Sequence, residues 1–115
     1  MDFTYHVDET TLDQMVRVIV REIDPERIIL FGSRARPSPP PDADVDLLVI
    51  DKRPFGKDRS RRKEAARLWR ALSKFLVPKD ILLYSHEEVD EYRDFINHVV
   101  ARALREGKVL YDQTK

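Results

Sequence analysis

Two short stretches of this sequence carry residue types that could bind a phosphate and a metal ion close together. The first, the apolar run 28–31, leads directly into Gly32 and Ser33. The second opens with Asp44 and Asp46, spaced by one residue, and continues as an apolar run. Backbone amides at a Gly-Ser turn can cradle a phosphate, and carboxylates are oxygen ligands that suit Mg²⁺. Together the two stretches indicate a site for a metal-bound nucleoside triphosphate.

Asp44 and Asp46 are the first candidates for metal ligands. On a β-strand, side chains at positions i and i+2 point to the same face, about 6.5–7 Å apart along the backbone, so both carboxylates can converge on one cation. Without a cation they repel, and each pKa is expected to rise. Asp80 begins a third predicted strand and joins the pair if that strand lies beside the second. Three acids can hold two cations, which can clamp the attacking and leaving oxygens of a phosphoryl displacement.

Each of these features also has an ordinary structural explanation. A bare Asp-x-Asp is more often the solvated start of a strand, and Gly-Ser is also a common turn. Arg34 and Arg36 could bind the triphosphate through their guanidinium forks or lie at the surface. The basic run 57–63 could contact a polyphosphate or a nucleic acid, although a solvated helix start is the commoner explanation. The sequence has no Gly-Lys-Ser/Thr phosphate loop, which excludes a Walker-type NTPase.

Composition bounds the class of protein. The 115 residues are 42% hydrophobic and 37% charged, which predicts one globular domain over residues 1–115. Lys plus Arg and Asp plus Glu number 21 each, so net charge gives no general attraction to nucleic acid. No cysteine is present, which excludes disulfides and thiolate metal sites. We expect a cytoplasmic protein, because no signal peptide and no apolar run of about 20 residues is visible.

Helical periodicity predicts three helices. The first runs over 11–23, beginning at a capping-box spacing of Thr11 and Gln14 and ending before a proline. The second buries an apolar face that includes Trp69. The third begins at a second capping box, at Ser85, and is closed by Gly107 as a C-terminal cap.

Short apolar runs predict the strands, over 28–31, 45–50 and 80–84, with a further short edge strand over 109–111. The run 45–50 is apolar on both faces, which is typical of a central strand. Four prolines between positions 37 and 41 exclude regular structure there. The order of elements predicts an α+β protein of two layers, a small mixed β-sheet with helices packed on it.

The segment Gly-Ser-Arg-Ala-Arg at 32–36, followed by Asp-Val-Asp-Leu-Leu-Val at 44–49, resembles the signature of the DNA polymerase β-like nucleotidyltransferases. It is most similar to the minimal nucleotidyltransferases (MNT) of bacteria and archaea, and the resemblance covers nearly the whole chain. The resemblance implies a polymerase β-like nucleotidyltransferase fold.

The resemblance also implies an activity, a cofactor and a partner. Mg²⁺, one ion or two, is held by Asp44, Asp46 and Asp80, the last of which also acts as general base. ATP is the nucleotide donor, and its phosphates lie on Gly32 and Ser33. Many small members of the family pair with a HEPN-domain toxin as its antitoxin, and they transfer AMP to that protein. Neither a monomer nor a homo-oligomer is excluded, and no membrane partner is expected.

Two positions depart from the family pattern. Pro37 stands where glycine is usual, and Ala43 stands where serine or threonine is usual. The stiffened loop affects nucleotide affinity more than metal binding, because the three acids are intact. The alternatives are a catalytically weak binding module that masks a partner sterically, and a nucleotidyltransferase acting on nucleic acid or on a small molecule such as an aminoglycoside.

Overall fold

The computed structural model describes residues 8–40 and 43–114, and the elements follow one another as the sequence predicts with one addition. They are α1 (Glu9–Ile23), β1 (Arg27–Phe31), β2 (Val45–Asp51), α2 (Arg61–Leu72), β3 (Lys79–Ser85), α3 (His86–Tyr92), α4 (Val99–Glu106) and β4 (Lys108–Asp112). A short 3-10 turn, Ser33–Ala35, follows β1. None of the described helices is long and apolar enough to cross a membrane.

The four strands form one mixed sheet in the order β3-β2-β1-β4. β1 pairs antiparallel with both β2 and β4, whereas β2 and β3 are parallel. β2 is therefore a central strand, as predicted, and its apolar side chains are buried on both faces. The predicted short strand near residue 110 is confirmed as β4 at the edge of the sheet.

Helices cover both faces of this sheet. On one face α1 and α2 bury Ile28 and Leu47, and on the other face α3 and α4 bury Ile29 and Leu48. The alternation follows from the two-residue period of a strand, which sends neighbouring apolar side chains to opposite faces. The predicted α+β class with a mixed sheet is confirmed. The layering differs from the two predicted layers, because helices add a third on the face that carries Asp46.

The first helix begins earlier than predicted. The side chain of Asp8 accepts a hydrogen bond from the amide of Thr11 at 2.8 Å, so Asp8 and not Thr11 caps α1. The helix ends at Ile23, as predicted, and its C-cap Asp24 has a positive φ of 47°. The predicted strand and proline-rich segment follow, except that Pro41 lies outside the described residues.

The predicted last helix is two helices. The capping box at Ser85 and Glu88 is confirmed and begins α3, which ends at Tyr92. The chain then leaves helical geometry until His98, whose ring accepts a hydrogen bond from the Val100 amide at 3.0 Å and caps α4. The ring of His98 also stacks on Tyr92, with centroids 4.2 Å apart. This aromatic contact and the new cap stabilise the break, which turns α4 onto β1.

One further helix prediction is wrong, and another is confirmed with a different backbone conformation. Trp69 is 39% exposed, because Leu68 and Leu72 fill the buried face of α2 and Trp69 lies beside that face. The ammonium group of Lys79 lies 5.8 Å from the centre of the Trp69 ring. Gly107 caps the end of α4 as predicted, but its conformation is extended, with φ at −82°, rather than left-handed. Its lack of a side chain instead permits close approach, since a Cβ there would overlap Ile29.

Candidate active site

The turn after β1 depends on glycine at position 32. Gly32 has φ 74° and ψ −157°, a region that is essentially restricted to glycine. The turn continues through hydrogen bonds from the Ala35 amide to Gly32 O at 3.2 Å and from the Arg36 amide to Ser33 O at 3.1 Å. A Cβ on Gly32 would overlap a carboxylate oxygen of Asp46. The backbone of the turn and the candidate metal ligand are therefore neighbours in space.

The sheet places two of the predicted carboxylates opposite each other and the third just before the same strand. Asp46 lies in β2 directly opposite Asp80 in β3, and Asp44 stands just before β2. Asp46 is half-buried, whereas Asp44 and Asp80 are exposed. Burial raises the pKa of Asp46, and the negative charges of Asp44 and Asp80 raise it further. A cation between these groups would relieve both effects.

The donor set fits a hard divalent cation. Within residues 8–40 and 43–114, no three acidic or imidazole side chains stand close enough to enclose a metal ion in their present positions. Asp44 and Asp80 are exposed, however, so rotation of their side chains can turn oxygens toward Asp46. Three carboxylates offer only oxygen ligands, and mutual repulsion favours a bound cation, which suits Mg²⁺.

A cleft of about 430 Å³ opens beside Asp46. Its walls come from the end of β1 and the following turn, from β2 and from α4, and the lining residues are Phe31, Gly32, Arg36, Asp46, Val99, Arg102 and Glu106. Sequence reasoning missed the three residues of α4. Their spacing of i, i+3 and i+7 marks one face of a helix. Helical periodicity does not separate this face, because it predicts one long helix with a buried apolar face.

The predicted phosphate-binding residues have different surroundings. Arg36 lines the cleft. Arg34 donates two hydrogen bonds from its guanidinium group to Ala43 O, at 3.1 and 2.6 Å, and so connects the turn to the residue before Asp44. Ser33 is half-buried in the 3-10 turn and does not line the cleft. The phosphate-binding roles of Ser33 and Arg34 stay predictions.

The basic run 57–63 is partly occupied by structural contacts. Arg59 pairs with the fully buried Asp51 at the opposite end of β2 from Asp46. Arg61 pairs with Glu88. These ion pairs favour a structural role for this part of the chain.

The mixed sheet thus places Asp46 opposite Asp80 and against the turn at Gly32. Residues 13–110 match the model of the nucleotidyltransferase domain family, and the chain belongs to that family. No curated protein matches the sequence.

Two crystal structures are similar to this one. A protein from Sulfolobus solfataricus assigned as a nucleotidyltransferase aligns with a TM-score of 0.50 and 18% identity, over 95% of this chain and 93% of that chain. This likeness supports the fold. A mutant of the toxin–antitoxin MntA-HpeT aligns with a TM-score of 0.47 and 16% identity, over 93% of this chain and 75% of that chain.

Proposed function

We propose that this protein transfers AMP from Mg²⁺-bound ATP to a hydroxyl group of another protein, and that it is the antitoxin of a HEPN-domain toxin. The observation that carries the enzymatic part is the grouping of Asp46 with Asp44 and Asp80 against the glycine turn. Membership of the nucleotidyltransferase domain family supports nucleotidyl transfer. The resemblance of segments 32–36 and 44–49 to the minimal nucleotidyltransferases supports the antitoxin role.

Each residue of the site has a role in this reaction. Asp44, Asp46 and Asp80 would hold Mg²⁺, which supplies neutralisation of phosphate charge when bound. The backbone turn at Gly32 orients the phosphates. The carboxylate of Asp80, which is exposed, accepts the proton of the acceptor hydroxyl. The acceptor oxygen then bonds to the α-phosphorus, the bond from that phosphorus to the bridging oxygen breaks, and pyrophosphate leaves with that oxygen.

A protein acceptor agrees with the surface beside the cleft. Phe95 and Ile96 are 58% and 71% exposed, and they lie in the segment that leads into α4. Val99, three residues further on, already lines the cleft. Large exposed apolar side chains are typical of surfaces that bind another protein. An acceptor that covers Phe95 and Ile96 would therefore lie beside the wall of the cleft that begins at Val99.

Labelling of a partner tests the proposal. The wild-type protein, a HEPN-domain partner, MgCl₂ and ATP labelled at the α-phosphate are incubated together, and the partner is weighed by mass spectrometry. We expect added AMP with the wild type and none with Asp46→Asn. Asp13→Asn is the matched control, because Asp13 is an exposed acid of α1 on the other side of the sheet.

Two outcomes would contradict the proposal. If Asp46→Asn still labels the partner at the wild-type rate, the carboxylates do not carry the chemistry. If the wild type inhibits the toxin without labelling it, the protein acts by masking its partner.

A further inference from the structure

Helix α4 forms one wall of the cleft and divides its faces sharply. Val100 and Ala103 are buried against the sheet. Val99, Arg102 and Glu106 instead line the cleft, across from Asp46. Any ligand held by Asp46 through a cation therefore lies within the space that Arg102 borders.

The guanidinium groups of Arg36 and Arg102 are available to an anion. Neither makes an ion pair within 4 Å with any part of the chain that the structure describes, whereas Arg59, Arg61 and Arg67 are all held by carboxylates. Arg36 comes from the turn after β1 and Arg102 from α4, so the two cations reach the cleft from different walls. Two unpaired guanidinium groups beside a cluster of acids favour a ligand that carries both bound metal and further negative charge.

We propose that Arg102 binds the β- and γ-phosphates of the nucleoside triphosphate and, with Arg36, forms a clamp on its polyphosphate tail. The inference rests on the proposed function, because it takes a metal-bound triphosphate as the substrate. Guanidinium forks match phosphate oxygens in pairs, which makes arginine well suited to this task. A cleft of about 430 Å³ lies within the size range of small-molecule sites, about 300–1,000 Å³.

The arrangement also limits where the tail can lie. Glu106 follows Arg102 by one turn of α4 and lines the same cleft. Its carboxylate repels a polyanion, so we expect the phosphates to lie nearer to Arg36 and Arg102 than to Glu106. After transfer the clamp holds the pyrophosphate, whose charge develops as the bond to the α-phosphorus breaks.

Nucleotide binding separates this role from a structural one. Calorimetry with Mg²⁺ measures the Kd of ATP and of AMP for the wild type, Arg102→Ala and Arg102→Gln. We expect the Kd of ATP to rise about tenfold in both variants, the size of effect expected for one charge-assisted hydrogen bond, and that of AMP to change less than about twofold. Arg105→Ala is the matched control, because Arg105 is an exposed arginine of the same helix that does not line the cleft.

Several results would overturn the inference. An unchanged Kd of ATP in Arg102→Gln would show that Arg102 does not bind the phosphates. An equal rise in Kd for ATP and AMP would show that the variant alters the whole cleft. Normal ATP binding with reduced labelling of the partner assigns Arg102 to the acceptor, while the proposed function stands. If the wild type binds no Mg²⁺-ATP at all, the proposed function fails as well.

Discussion

Replacing Gly32 by alanine tests whether the turn and the carboxylate form one unit. Gly32 has φ 74° and ψ −157°, where a residue with a side chain is strained by about 1–3 kcal/mol. The new Cβ would also overlap the carboxylate of Asp46. The variant must therefore distort the turn, displace Asp46, or do both. Each response damages the site.

The expected size of the effect follows from these terms. Alanine allows the unfolded chain fewer conformations than glycine does, which by itself stabilises the folded state by about 0.4–1 kcal/mol. The overlap with Asp46 adds a cost of its own, so we expect a net loss of about 1–3 kcal/mol in the free energy of unfolding. For a domain of this size each kcal/mol lowers Tm by about 4 °C, which gives a fall of about 4–12 °C. Misplacement of a reacting group by about 1 Å can cost about 100-fold in rate.

Thermal unfolding and partner labelling measure both effects, and Gly56→Ala is the matched control. Gly56 has no positive φ, and a Cβ there would meet nothing within 4 Å. We expect its Tm and labelling rate to stay near those of the wild type. If Gly32→Ala behaves like Gly56→Ala in both assays, the turn does not adopt this geometry and the reasoning about the site is refuted.

Three further perturbations test separate contacts. A hydrogen bond to Glu26, and then the charge of Glu26, raises the pKa of His86 above 6.5. The pair therefore stabilises the fold below pH 6.5, and this stabilisation is lost as the pH rises through the raised pKa. Because the pair is exposed, His86→Gln should flatten that part of the curve of stability against pH by less than about 1 kcal/mol. Arg34→Ala should cost about 1–3 kcal/mol in urea unfolding and lower the labelling rate, since Ala43 O loses two donors; an unchanged midpoint would contradict this. Asp46→Asn should raise Tm in EDTA at neutral pH, because the raised pKa means that the charged carboxylate opposes folding when no metal is bound. The same variant should abolish any rise of Tm with Mg²⁺, because it removes a charged metal ligand.

The strands and their acids could be predicted from sequence because the signals are local. An apolar run on both faces requires a central strand, and β2 is one. Asp46 and Asp80 then share a register because β2 and β3 are parallel neighbours. That β2 and β3 lie side by side could only be assumed from the sequence, because strand pairing depends on contacts between residues that are distant in the chain.

The α4 wall of the cleft could not be predicted in the same way. Apolar residues continue at helical spacing through position 96, so periodicity favours one helix where the structure has two. The break depends on the stacking of His98 on Tyr92 and on a cap formed by the His98 ring. Histidine is an uncommon cap, so its identity alone gives little warning. The sequence therefore does not indicate that Arg102 lines the cleft.

The cleft finally depends on two close approaches, each made possible by a glycine, one after β1 and one after α4. Gly32 lets the turn after β1 lie against Asp46. Gly107 lets the end of α4 lie against Ile29 and the carbonyl of Leu30, on the same strand β1. Because α4 lies this close to β1, Arg102 and Asp46 border a single cleft. The shape of the candidate site thus depends on backbone contacts to β1 as well as on its carboxylates.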